Sequence, residues 1–191
     1  MTHLRPLLVV GIGNVLLRDE GVGVHVVERL DRLARRRPDV LPPECTLVDG
    51  GTLGLDLLPM IEDARAVVLV DAVNLRGAPG DVRVLHGPDL HATLANHVSP
   101  HQVGVGDLLA AARLRGTLPA DVALVGIQPA EIEIGLELTA AVEAAVARAA
   151  DVACETAWEL HRAAGGADGA GRPLASRAPV RGDAAALGAP G

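Results

Sequence analysis

The sequence predicts a three-layer α/β sandwich built around a mostly parallel sheet. Two observations carry this. Short apolar runs, among them Leu7–Ile12 and Ala66–Val70, are too continuous for strands with one face in water. Between the runs lie segments whose apolar residues recur at helical spacing, which is the alternation that gives parallel strands with helices on both faces. A chain of 191 residues has enough surface to bury for a full core. Residues 1–164 read as one folded domain. Residues 165–191, rich in Gly, Ala, Pro and Arg, read as a disordered tail with too little apolar surface to offset its ordering entropy.

Taken in order, Leu7–Ile12 is the first strand. Val22, Val26, Val27, Leu30, Leu33 and Ala34 then form one face of a helix, with Arg29, Arg32 and Arg36 opposite. Cys45 to Val48 is a second strand that ends in Asp49-Gly50-Gly51-Thr52. A short helix around Leu55 to Glu62 is kinked or late-starting because of Pro59. Ala66 to Val70 stops at Asp71. Gly77 to Gly80 is turn chemistry, so Val82 to Leu85 is reached without a helix and suits an antiparallel strand. Ser99-Pro100 reads as an N-cap followed by proline at the first helical position, opening a helix to about Arg113. Val122 to Ile127 is the last strand, and Thr139 to Ala163 is a long Ala-rich helix stopped by Gly165-Gly166.

Composition excludes several functions. No apolar stretch reaches the roughly 18 residues of a membrane span. The run from Pro6 to Leu17 is broken by Gly11, Gly13 and Asn14 and followed by Arg18-Asp19-Glu20, so it reads as a strand of a cytoplasmic protein rather than a signal segment. With no Phe or Tyr and one Trp, base-stacking platforms are absent. A net charge of −7 speaks against a phosphate-tracking surface. All 17 basic residues are Arg, which removes lysine chemistry. Cys45 and Cys154 form no metal or redox motif and read as packing residues.

In open α/β sheets ligands bind beyond the carboxyl ends of the strands. Glu20, beside Asp19, follows the first strand, while Asp49 ends the second and Asp71 the third. Acids that end apolar runs need a cation or hydrogen-bond donors. Asp19 and Asp49 equally suit helix capping or turn formation. His101, in the first turn after Ser99-Pro100, faces the positive end of a helix and so stays neutral, as a ligand or a base must. His97 and His101 are spaced H-x₃-H, but Pro100 between them breaks a shared helical face. One His with two or three acids suits nickel, zinc or manganese with open coordination positions. Gly11-Ile12-Gly13 is an incomplete dinucleotide fingerprint, with Leu16 at the third glycine position.

Five blocks occur in order: G-I-G-N-V-L-L-R-D-E-G-V-G (11–23), D-G-G-T-L-G-L-D-L-L-P (49–59), L-V-D-A-V (69–73), S-P-H-Q-V-G (99–104) and G-I-Q-P-A-E-I-E-I-G-L-E-L-T (126–139). Together they resemble the hydrogenase maturation endopeptidases over roughly residues 5–160. The resemblance implies a three-layer α/β/α sandwich with a five-stranded mixed sheet, one strand antiparallel. It implies removal of a C-terminal extension from the nickel-loaded precursor of the nickel–iron hydrogenase large subunit, by an enzyme grouped with aspartic-type peptidases. It further implies that Glu20, Asp71 and His101 contact the metal. Nickel is then carried by the substrate, and zinc or cadmium could occupy the same place. Asp49 becomes the candidate catalytic carboxylate that activates a water, with a metal-polarised water as the alternative nucleophile, and Gly50, Gly51, Thr52 and Gln102 become candidate substrate contacts. The expected partner is the large-subunit precursor, with no nucleic acid and no membrane insertion, and the protease itself a monomer. Competing classes are a nickel-dependent binding module for the same subunit, a peptidyl-tRNA hydrolase, which the acidic charge opposes, and a dinucleotide-dependent oxidoreductase.

Overall fold

The computed structural model describes residues 5–95 and 104–165. The elements are β1 (Leu7–Ile12), α1 (Val22–Arg36), β2 (Cys45–Gly51), α2 (Leu58–Asp63), β3 (Ala66–Ala72), β4 (Val82–His86), α3 (Gly87–Ala95), α4 (Val105–Leu114), β5 (Asp121–Ile127) and α5 (Ala140–Gly165). Five strands form one sheet in the order β2-β1-β3-β5-β4. β1, β2, β3 and β5 run parallel, and β4 is antiparallel to β5.

The period-2 alternation of each strand builds the layers. Leu7 and Val9 of β1, Val68 and Val70 of β3, and Val125 and Ile127 of β5 pack with α1 and α5 on one face. Leu8 and Val10, Val67 and Leu69, and Leu124 point the other way, into α2, α3 and α4. These strand residues are almost wholly buried, each contributing about 1.5–3 kcal/mol of hydrophobic stabilisation. On α5, Ala149, Ala150, Ala153 and Ala157 are fully buried, so the middle of the longest helix presents small methyl groups to the core, with Val142, Val146 and Leu160 buried toward its ends. The fold class is therefore the one expected, a three-layer α/β/α sandwich with a mixed sheet.

Several boundaries differ from the sequence reading. Pro59 lies in the first turn of α2, behind a 3-10 turn at Gly54–Leu57, so that helix starts late. A single helix from Ser99-Pro100 to Arg113 is not what forms: Gly104 is extended (φ −90°, ψ −176°), and α4 opens only at Val105. The Ser99-Pro100 start lies outside the described residues, as do His97, His101, Gln102 and the chain beyond Gly165. α3 was not anticipated. It follows β4 without a connecting residue because Gly87 (φ +46°) reverses the chain at once.

Both cysteines are half-buried. The Cys154 thiol donates to the Val40 carbonyl (2.6 Å). Burial and the nearby Cys154 push the Cys45 thiol up to about 12, although Arg65 pulls the other way. That thiol stays protonated at neutral pH and is no nucleophile. Among the described residues no helix is long and apolar enough to cross a membrane.

Candidate functional site

The chain leaves β1 to form β2 on one side and later returns to form β3 on the other, so crossovers diverge where β1 and β3 end. That switch point is where an α/β sheet opens a crevice. A cavity of about 750 Å³ lies there, walled by the β1–α1 loop, the end of β2, the end of β3, the first turn of α4 and the segment after β5.

Two of the expected acids meet in it. Glu20 sits on a 3-10 turn (Arg18–Gly21), and Asp71 is the penultimate residue of β3. The Glu20 loop folds back so closely that a Cβ on Gly13 (φ +135°) would collide with the Glu20 carbonyl, which explains the glycine there. Glu20 Oε2 accepts the Asn14 N–H (2.7 Å), and Asn14 Oδ1 in turn accepts the Leu16 N–H (3.0 Å). Asp71 Oδ1 accepts the Ala72 N–H (2.8 Å). Burial pushes the Glu20 carboxyl above its ordinary value, more than the Asn14 N–H lowers it. Burial drives Asp71 well above its own, and the Glu20 charge adds to this against the Ala72 N–H. The described wall also carries Asp56 and Asp107, making four acids with no Arg, Lys or His among its residues. Such a cleft holds negative charge at a cost that a bound cation would relieve.

Asp49 has a different setting. β2 pairs with β1 through Gly11↔Asp49, then shifts to Ile12↔Gly51, leaving Gly50 as an extra residue in a bulge. Asp49 is exposed on this bulge and Gly50 is buried behind it, while Gly51 and Thr52 form part of the cleft wall. The Gly51 carbonyl accepts the Gly13 N–H (3.0 Å), tying the β2 end to the Glu20 loop. Asp49 itself is not among the wall residues. His101 and Gln102 lie outside the described residues. Among the described residues no three His, Cys, Asp or Glu side chains gather closely enough to hold a metal ion.

Sequence reasoning left Asp19 between ligand, cap and turn residue, and the structure assigns it another task. It is fully buried. Its Oδ2 accepts the N–H groups of Ala130 (2.9 Å) and Glu131 (3.0 Å) and the Thr139 hydroxyl (2.9 Å), and its Oδ1 accepts the Thr139 N–H (2.7 Å). Burial alone would raise its pKa, but these donors outweigh it and leave the carboxyl below its ordinary value. Asp19 thus fastens the turn bearing Glu20 to the β5–α5 connection. Asp56, Asn74 and Asp107 were also missed. Asp107 alone carried a local signal, as the acid three residues after Gly104, whose N–H it accepts (3.2 Å).

Comparison with known proteins bears on this site. Residues 24–156 match the family model of the hydrogenase maturation proteases. The chain is 38% identical over 141 residues to the hydrogenase 2 maturation protease of Escherichia coli K12, covering 73% of this chain and 83% of that protein. It is 43% identical over 128 residues to the hydrogenase expression/formation protein HupD of Rhodobacter capsulatus, covering 66% of this chain and 59% of that one. Among solved structures it resembles the hydrogenase maturating endopeptidase HybD from E. coli, with a TM-score of 0.70 and 35% identity over 81% of this chain and 93% of the other.

Proposed function

The chain belongs to the hydrogenase maturation protease family, and from that premise we propose that it is the endopeptidase that removes the C-terminal extension of a nickel-loaded hydrogenase large-subunit precursor. The observation that supports this best is the pairing of Glu20 and Asp71 in a cleft whose described wall has four acids and no basic residue. Carboxylate oxygens suit a divalent transition ion, and two raised carboxyls lining one cleft suit binding one. On this reading Glu20, Asp71 and His101 dock against nickel that arrives with the precursor, so the metal is part of the substrate. Zinc or cadmium would fit the same donors.

The chemistry is amide hydrolysis. A water oxygen adds to the scissile carbonyl carbon, the C–N bond breaks, and the departing nitrogen leaves as an amine carrying a proton. Asp49 is the candidate base that takes the water's proton, and its carboxylate group is the ground for an aspartic-type assignment. Gly50, Gly51, Thr52 and Gln102 are the proposed contacts for the extended peptide. Among them Gly51 and Thr52 sit on the cleft wall. The work is proposed to take place in the cytoplasm, by a monomer.

The test is to incubate a purified large-subunit precursor with the protein, with and without nickel loading, and to weigh the intact chains. The expected result is loss of one defined C-terminal peptide from the nickel-loaded sample only. Complex formation with no loss of mass in either sample would overturn the endopeptidase in favour of a nickel-dependent binding module. For Asp49→Asn the expected outcome is processing slowed about 100-fold or more, with binding of the loaded precursor retained. Processing at the wild-type rate would reduce Asp49 to a strand-end residue.

A further inference from the structure

The segment after β5 reads Glu131-Ile132-Glu133-Ile134-Gly135-Leu136-Glu137-Leu138, with acids and aliphatics in alternation. Ile132, Ile134 and Leu136 are 57%, 91% and 70% exposed. Polar contacts hold this segment in place. Arg18 Nη1 donates to Glu131 (2.6 Å) and Glu133 (2.9 Å), and its Nε to the Glu137 carbonyl (3.3 Å). The Arg18 and Gly135 N–H groups bond to the Gly135 and Leu16 carbonyls (2.9 and 3.0 Å), a short parallel bridge that brings Leu16, itself 58% exposed, into register with Ile134. Buried Asp19 anchors the segment at both ends. Arg18 adopts φ +48° to do this, the left-handed region that a non-glycine residue enters only under strain. The Ile132, Ile134 and Leu136 side chains face water on a held backbone and forgo hydrophobic burial.

We propose that Leu16, Ile132, Ile134 and Leu136 form a docking strip for the body of the large-subunit precursor, an inference that rests on the reading of the cleft as a protease site. Ile132 belongs both to the strip and to the cleft wall, so a protein seated on the strip lies next to Glu20 and Asp71. The strip's charge selects the occupant. Glu131, Glu133 and Glu137 outnumber Arg18, so the matching face is apolar and flanked by basic residues. A second copy of this chain would set like charges against each other.

The experiment measures the dissociation constant of nickel-loaded precursor for the wild type, for the double variant Ile134→Glu/Leu136→Glu, and for Leu114→Glu, whose residue is equally exposed (91%) at the far end of α4. The double variant is expected to bind about tenfold more weakly or worse with an unchanged melting temperature, and Leu114→Glu to bind as the wild type does. Binding by the double variant within twofold of wild type overturns the strip even where the precursor is processed. Wild-type binding that needs the strip, without processing, leaves the strip standing and removes the endopeptidase. Absence of wild-type binding, or a concentration-dependent dimer that the double variant abolishes, also overturns the proposal.

Discussion

Asp71→Asn is expected to abolish processing while making the metal-free protein more stable. Asp71 lies at the end of a strand whose preceding residues, Ala66 to Val70, are fully buried, and its carboxylate has one backbone donor, from Ala72. Burial and the neighbouring Glu20 charge raise its pKa well above 3.8. A raised carboxyl binds its proton more tightly folded than unfolded, so its cost is absent below the unfolded pKa. Stability then falls as pH climbs through the folded pKa, and the full cost applies above it. Asparagine keeps the acceptor for Ala72 and removes the charge. At neutral pH the variant should melt higher, each kcal/mol relieved being about 2–4 °C for a domain of this size, and its stability should depend less on pH across the acid range. Precursor processing should drop by about 100-fold or more, because the proposed charged contact to a metal carried by the substrate is removed. The pair of readouts is a differential melting curve against pH and intact-mass processing. A variant that melts lower than wild type at pH 7 would show that the Asp71 charge is compensated in the fold, and normal processing would remove Asp71 from the site.

The fold was legible because buried strands must be almost continuously apolar, and Leu7–Ile12 and Ala66–Val70 can be little else. The meeting of Glu20 and Asp71 was legible for a topological reason: both follow strands that flank the switch point, so their distance in sequence is irrelevant. What escaped depends on non-local or purely backbone events. The bulge at Gly50 is a register shift between β1 and β2, and no composition signal marks one. The α3 helix hangs on a single left-handed Gly87. The four donors to Asp19 come from residues more than 110 positions away, while its own neighbourhood, Arg-Asp-Glu-Gly, looks like any capped turn. The exposed aliphatics of the 131–138 segment stand out in the sequence only as part of a family block, since alternation alone suggests a half-buried strand, and nothing local predicts that Arg18 takes the glutamate side.

Asp19→Asn should be the most damaging isosteric change outside the core. The carboxylate accepts four hydrogen bonds, three on Oδ2 and one on Oδ1. An amide has one acceptor oxygen. With its NH₂ toward Ala130 and Glu131, it opposes two backbone donors; turned over, it opposes the Thr139 N–H. Each buried donor left facing a donor costs about 1–3 kcal/mol, and with one donor opposed in the better orientation the melting temperature should fall by about 2–12 °C. The pH dependence runs opposite to that of Asp71. Asp19 is held below its ordinary value of 3.8, so its contribution is complete above that pH and lost as pH falls through the folded pKa; the variant should lack this acid-side loss. Amide exchange should localise the damage, with the Ala130, Glu131 and Thr139 N–H groups opening faster while those at the β1–β3 ladder keep their relative protection. Because Glu20 and the 131–138 segment share this one anchor, precursor affinity and processing should both decline, whereas Asp71→Asn acts on the site without loosening the loops. A variant that keeps its melting temperature and its amide protection would mean that Asp19 is a passive cap, and that the β1–α1 and β5–α5 loops are positioned by Arg18 and the Leu17–Gly135 bridge alone.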